Sequence, residues 1–491
     1  MGDEAMAAAQ ERQQHAPPQP MNLLLRLYGE PATTELLSET RFVRHLVRVE
    51  QVVAEVQGEL GVIPEAAAAG IVKALDAVTI DEDLLWSETR VVGYPVLPLI
   101  RQIDGQLDQH LRGYLHWGLT TQDVMDTALV LQIREVVDRQ YELIRAWGYG
   151  LSVLTREWSG HVAPARTHGQ QAVPTTIGAR FGVFLEQVAD LSGELIRAAD
   201  RAAVVSMHGA GGTSAAMGST ASDVRRRSAE LLHLRFSAVP WHVARHSLVQ
   251  LTGVLTALTA VAARLAKDVV DLSRDEIAEV GEMVGPLRGA SSTMPQKANP
   301  IDAEAIIGLS WSCTGAHLGM IRALEAGHER AAGEWQIEWS ALPTVLLTSA
   351  SAFAVAARLS AGLRVDSERA AANAQLNGGA ILAEAYMMRL AESIGREEAH
   401  ELVYRSVRDS RRSGRSLHDA VSVELDRRGL ATVEVRSDGY VGDARETCRA
   451  AQASWASAVS AIDSLLATPR HPGSTPGPTT AGPNDGEVPH P

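Results

Sequence analysis

Two hydroxyls, an ammonium and an amide fall within nine residues: Ser291, Ser292, Lys297 and Asn299. They belong to the stretch 285–300, Gly-Pro-Leu-Arg-Gly-Ala-Ser-Ser-Thr-Met-Pro-Gln-Lys-Ala-Asn-Pro, which interrupts two apolar segments. A long polar loop between strong helices is more often functional than a plain connector. A serine hydroxyl beside an ammonium becomes an alkoxide base once water is excluded. The lysine is itself informative. Only Lys73, Lys267 and Lys297 occur, so the other 42 of the 45 basic residues are arginine. A GC-rich genome accounts for that bias, yet a lysine that remains in such a chain marks a position where a compact ammonium is needed rather than a planar guanidinium.

Other groups carry weaker signals. Thr120, Thr121 and Gln122 precede Asp123 at what reads as a helix start, where hydroxyls and free N–H groups receive a carboxylate. Thr167 and His168 lie in Arg166-Thr167-His168-Gly169; taken alone, such a histidine is usually a satisfied core residue. Gly209-Ala210-Gly211-Gly212-Thr213 looks like a phosphate cradle but lacks a preceding strand and a following Gly-Lys-Thr. Trp241, His242 and Arg245 fit a helix cap as well as a site, and Glu329-Arg330 with Gly333–Trp339 fits a surface charge run.

The elements that must hold these groups are helical. Proline is absent from 99–163, 241–285, 301–342 and 344–468, windows wide enough for long uninterrupted helices. Phe42, Leu46, Val49, Val53, Val56 and Leu60 step by four and three, a helical stripe. A second stripe runs Leu129, Ile133, Val136, Leu143, Trp147 and Leu154, with Gln140 and Gly150 as gaps. Almost no period-2 run and few hairpin signals are present, so the chain reads as all-α. The Pro-rich ends, 1–20 and 469–491, read as disordered tails. Between them three helical units are expected, 21–115, 116–362 and 363–468, the middle one a long-helix bundle carrying the loop 285–300. Helices apolar around much of their surface imply a bundle that continues into other copies of the chain.

Composition removes several classes. The 491 residues carry 45 basic and 59 acidic side chains, a net charge of −14 with no basic block, which argues against nucleic acid as the main partner. No apolar run reaches the ~18 residues of a membrane span, and the first 20 residues lack secretory-signal order. Cys313 and Cys448 are the only cysteines and make no zinc or redox spacing, so a cytoplasmic location is expected. No ligand cluster or dinucleotide fingerprint calls for a metal or cofactor.

The loop resembles the signature of the fumarase/aspartase superfamily, G-S-S-x-M-P-x-K-x-N-P, differing only in Ala290 between Gly289 and the serines. Two more family regions match in order. His116–Asp123 resembles the substrate-carboxylate loop, and Arg166–Pro174 the segment that carries a histidine in the fumarase, aspartase and adenylosuccinate lyase branches. The likeness spans roughly residues 25–465. It implies a three-domain homotetramer with each site shared between subunits, a small dicarboxylate substrate, and no cofactor. It also implies roles: Ser292 as base with Ser291 the weaker candidate, Lys297, Asn299 and Met294 around one carboxylate, Thr120, Thr121 and Gln122 around the other. His168 would then act as acid or carboxylate ligand, with Thr167 and Arg245 bordering substrate.

The branches pull apart. Thr121-Gln122-Asp123, Val92–Leu99, Gly333–Trp339 and Gly378–Ala385 resemble the 3-carboxy-cis,cis-muconate cycloisomerases; His168 does not. Compared with adenylosuccinate lyases, Thr89-Arg90 is followed by two valines instead of His-Asp, and Ala298 and His246 replace residues of their cationic segments. Loss of cations disfavours a phosphate-bearing substrate. The expected reaction is therefore elimination from a small substituted succinate to fumarate and a nitrogen leaving group, with nitrosuccinate the favoured substrate, and cycloisomerisation the alternative.

Overall fold

The computed structural model describes residues 22–468 apart from 284, 286 and 331; the two Pro-rich tails lie outside the described residues. Short helices α1 (Leu23–Tyr28) and α2 (Pro31–Leu36) lead into α3 (Glu39–Glu59), α4 (Glu65–Asp76), α5 (Glu82–Val92) and α6 (Val96–Gln106). The Ser38 side chain caps α3 by accepting from the Arg41 N–H. Its stripe faces inward as expected: Leu46, Val49, Val53 and Val56 are buried, and Leu60 lies exposed at the C-cap.

The bundle consists of α7 (Thr121–Glu157), α8 (Ile177–Ala202), α10 (His246–Leu272), α11 (Ile301–Ala323) and α12 (Glu334–Gly362), with the shorter α9 (Ala221–Leu231) beside α3. Ile133, Val136, Leu143, Trp147 and Leu154 of α7 are all buried. The polar gap in that stripe, Gln140, is buried too; its amide nitrogen donates to the Leu346 carbonyl and the Ser349 hydroxyl of α12. By composition, α10 and α12 are each long and apolar enough to cross a membrane, which corrects the expectation that no such run exists; 56% and 67% of those windows are buried inside the bundle.

The sequence also hid a hairpin. Strands β1 (Val162–Thr167) and β2 (Gln170–Thr176) pair antiparallel, joined by the two-residue turn His168-Gly169. Both turn residues have positive φ, 51° and 73°, as a tight primed turn requires. Two prolines, Pro164 and Pro174, face each other across this ladder where its register is broken. A second, minimal pair joins β3 (Val280–Gly281) to β4 (Arg364–Val365).

After β4 come α13 (Ser367–Asn373), α14 (Ala383–Ile394), α15 (Arg396–Ser413) and α16 (Leu417–Arg428), whose Tyr386, Leu390, Leu402 and Leu425 form a separate small core. The last helix, α17 (Ala444–Ala467), returns to the bundle: Trp455 and Ile462 join the main core, and the Ser152 hydroxyl donates to Gln452 Oε1 at 2.7 Å. It packs with the central unit, although its position in the chain suggested the C-terminal one.

The bundle has two distinct ends. The start of α7, the start of α10 and the segment before α12 meet at one: Gln122 donates to the His242 carbonyl, and Arg330 reaches Thr120. The hairpin, the loop 282–300 and the end of α12 meet at the other, where Arg166 pairs with Glu279 and Arg358 with Asp302. With its 37 residues, α7 separates these ends by about 55 Å at 1.5 Å per residue.

Candidate active site

At the loop end the chain is pinned on both sides. Glu282 accepts from the Asp302 and Ala303 N–H groups at the start of α11, at 3.2 and 2.8 Å. Asp302 in turn holds Arg288 from before the loop tip and Arg358 from α12. Within the loop, the Asn299 backbone and side-chain N–H groups both donate to the Gly289 carbonyl, at 2.8 and 3.0 Å. Gly289 sits at φ +66°, and a Cβ there would lie 2.5 Å from the Asn299 carbonyl oxygen, so no other residue fits this pinch.

The two serines differ in their commitments. Ser291 Oγ accepts from the Thr293 and Met294 N–H groups, at 3.3 and 3.1 Å, and so shapes the turn. The Ser292 hydroxyl has no partner among the described residues, and Ser292, Met294 and Lys297 are all exposed. Asn299 holds the base of the loop with its amide nitrogen, which leaves the side-chain oxygen uncommitted. Thr167 and His168 stand exposed at the hairpin tip, and Arg166, one step below the tip opposite Gln171, ties the hairpin to Glu279, next to the loop entrance.

At the opposite end, Asp123 organises the carboxylate-loop candidates. It accepts from the backbone N–H of Thr120 (3.1 Å), His208 (2.8 Å) and Gly209 (2.8 Å), and His242 Nε2 lies 2.8 Å from it. Burial alone would raise its pKa; the His242 contact and the backbone donors outweigh that and hold it below the usual carboxylate value. The Gly209 turn thus has its N–H aimed at a protein carboxylate rather than at a phosphate. The Thr121 hydroxyl is free of partners among the described residues. Gln122 is not free: its amide donates to His242, and its oxygen accepts from Arg330 Nε at 3.2 Å.

Arg330 also donates to Thr120 Oγ1 at 3.1 Å, which places an exposed guanidinium beside the two threonines. Sequence reasoning left this residue in a surface charge run, because nothing in Glu329-Arg330 signals a partner more than 200 residues away. Arg245 departs from expectation in the other direction. It is 2% exposed and paired with both Asp126 (2.7 and 3.0 Å) and Glu338, so it braces the helices beneath the site.

His208, buried beside these residues, has its pKa pushed down from 6.5 to about 4 by burial and by the Arg225 guanidinium. A lowered folded pKa contributes stability above pH 6.5 that is lost as pH falls towards about 4. The urea midpoint of the protein is therefore expected to drop more between pH 7 and pH 5 than that of His208→Gln. Parallel curves for the two proteins would contradict this. Asp126 titrates in the same range with opposite sign, but it is present in both proteins and cancels in the comparison.

No hydrogen bond or ion pair among the described residues links the loop, the hairpin tip and the threonine end into one pocket, and about 55 Å of α7 separates the last from the others. Among the described residues there is also no group of three or more His, Cys, Asp or Glu arranged to hold a metal ion.

The long-helix bundle agrees with the comparisons. Residues 28–315 match the family described as lyase, and the chain belongs to it, within the fumarase/aspartase superfamily. More particularly, it is 32% identical over 395 residues to trans-aconitate decarboxylase 1 of Mycosarcoma maydis, covering 80% of each chain. It is 29% identical to the N-acetyl-S-(2-succino)cysteine lyase of Dickeya dadantii, covering 77% of this chain and 83% of that one. Among solved structures, the 3-carboxy-cis,cis-muconate lactonizing enzyme of Pseudomonas putida superposes with a TM-score of 0.82 at 29% identity, over 89% of this chain and all of that one.

Proposed function

We propose that the protein catalyses β-elimination from a substituted succinate, releasing fumarate and a nitrogen leaving group. The observation that carries this reading is the split between the loop serines: Ser291 builds the turn, and Ser292 is left with an unengaged hydroxyl five residues from Lys297. In the reaction Ser292 Oγ takes the proton from the carbon beside one carboxylate. The bonding pair enters that carboxylate as an aci-carboxylate, and the cation of Lys297 and the fixed loop dipoles stabilise the developing charge. The pair then re-forms a double bond as the carbon–nitrogen bond breaks, and the leaving group departs with the electrons. Thr120, Thr121 and Arg330 hold the second carboxylate, and His168 supplies or steadies a proton.

The site requires three parts that one chain keeps apart, so it is proposed to be assembled in a homotetramer. Exposed apolar side chains on α11 support this reading: Trp311 is 79% and Leu318 59% exposed on a helix of the central bundle. Burying such residues is the ordinary reason for bundle helices to associate.

Cycloisomerisation is the second reading, favoured by the likeness to the Pseudomonas putida lactonizing enzyme. It runs through the same aci-carboxylate in reverse: an internal carboxylate oxygen, in the place of the leaving group, adds to the double bond, the displaced pair enters the neighbouring carboxylate, and the carbon is then protonated. The test is direct. The purified protein is mixed in turn with aspartate, N-substituted aspartates, nitrosuccinate, S-succinyl thiols and carboxymuconate, and the absorbance of fumarate or loss of the diene is followed. Fumarate release from a nitrogen-substituted succinate is the expected result; diene loss alone would replace this reading with the second.

A further inference from the structure

A cavity of about 420 Å³ opens one helical turn behind the threonine end. On α7, Thr121, Met125 and Leu129 are spaced four apart and share a face, and Met125 and Leu129 line the cavity while Thr121 lies about 6 Å up the helix axis. Four aromatic side chains, Phe42, Trp86, Trp335 and Trp339, line it among aliphatic and polar residues. The last two rings meet edge-on at 5.1 Å, and Tyr94 stacks on Trp335 at 5.6 Å, so this wall is a packed and rigid one.

The polar groups of the lining are unequal. The Thr89 hydroxyl donates to the Leu85 carbonyl and the Gln132 amide to the Leu36 carbonyl, so both have partners. Asp126 and Glu338 also line the cavity, each 1% exposed, and both face a single guanidinium, that of Arg245. Two carboxylates against one cation leave an excess negative charge. Burial pushes Asp126 up to about 6, so at neutral pH the excess is largely present. Glu39 adds a further carboxylate, and among the described residues no Lys, Arg or His lines the cavity. An enclosed negative charge among aromatic faces attracts an organic cation through both charge and ring quadrupoles.

We propose that this cavity receives the leaving half of the substrate and that this half is an amine with an aromatic or bulky apolar body, bound as its ammonium. The substrate class is then an N-alkyl or N-arylalkyl aspartate, which rests on the elimination reading above. A nitrite or ammonium ion would leave most of the cavity empty and its aromatic walls without contacts. The balance is simple. The proton removed from carbon ends on the departing nitrogen, whose bond to carbon supplies its new lone pair, so the N-substituted aspartate gives fumarate and the alkylammonium with no other reactant.

The test uses the intact protein and a matched pair of probes, benzylammonium and benzyl alcohol, titrated by calorimetry, followed by turnover of N-benzylaspartate against aspartate. Benzylammonium is expected to bind about tenfold or more tightly than the alcohol, and N-benzylaspartate to exceed aspartate in kcat/KM by a similar factor. Trp339→Ala should weaken both probes, and Glu338→Gln should remove the preference for the cation. The probe pair tests the charge without any variant, so a misfolded Glu338→Gln leaves the proposal falsifiable. Fumarate from other succinates with equal or no binding of the two probes overturns the cavity assignment and leaves the elimination reading standing. Fumarate from no nitrogen-substituted succinate ends the elimination reading, and the leaving-group assignment falls with it even where the cation binds.

Discussion

Ser292→Ala is expected to lower kcat by ~10²–10⁴-fold, the usual contribution of a positioned base, while KM and the oligomer change little. The loop backbone explains why the effect should be confined to the chemical step. The turn is held by Ser291 Oγ and the Gly289 pinch by Asn299, neither of which involves the Ser292 side chain. Ser291→Ala is the informative companion. It removes the acceptor of two backbone N–H groups, so its loss should appear as a disordered loop with a raised KM as well as a lowered kcat. If Ser291→Ala gives the clean loss in kcat and Ser292→Ala is nearly normal, the two roles are exchanged.

The second large effect is expected for Lys297→Arg, a substitution that keeps the charge. A guanidinium is planar, spreads its charge over a fork and cannot concentrate it on one hydroxyl or one carboxylate oxygen as an ammonium does. A loss of about 10²-fold or more in kcat is expected, comparable to removing a donor that stabilises a transition-state oxyanion. The chain makes this a pointed test, since 42 of its 45 basic residues are already arginine. Near-normal kcat in Lys297→Arg would show that the lysine was retained for no chemical reason. Lys73, which lies in α4 away from the site elements, is the control and should tolerate arginine.

The sequence exposed the parts of this molecule that follow from local pattern. Four-three spacing located α3 and α7, because a helix face repeats within a few residues, and proline-free windows left room for α10 and α11; α12 was not located, because Pro343 inside it divides two of those windows. The loop 285–300 stood out for the same reason in reverse, a polar gap between two such patterns. What stayed hidden depends on distant partners. The hairpin carrying His168 contains facing prolines, Pro164 and Pro174, and proline reads as a break unless the opposite strand is known to be irregular there. Arg245 looked available for substrate until Asp126 and Glu338, 119 and 93 residues away, were seen to claim it. Arg330 looked idle until the fold set it beside Thr120. The proline-free window 344–468 left room for α17, but the surface it packs on, α7 and α8, was not legible.

The shared site is the claim on which the proposed function depends, and mixing two inactive variants tests it most directly. Ser292→Ala and Thr121→Val lie at opposite ends of a bundle whose α7 alone runs about 55 Å. Each alone should be nearly inactive. Unfolded together, mixed in equal amounts and refolded, they should form hybrids in which some sites draw an intact Ser292 from one chain and an intact Thr121 from another. In a symmetric tetramer with random assortment, about a quarter of the sites regain both residues, so activity should return towards about a quarter of the unmutated level. Activity that stays at the level of the separate variants, in samples shown to have exchanged subunits, would contradict a site built from several copies of this chain.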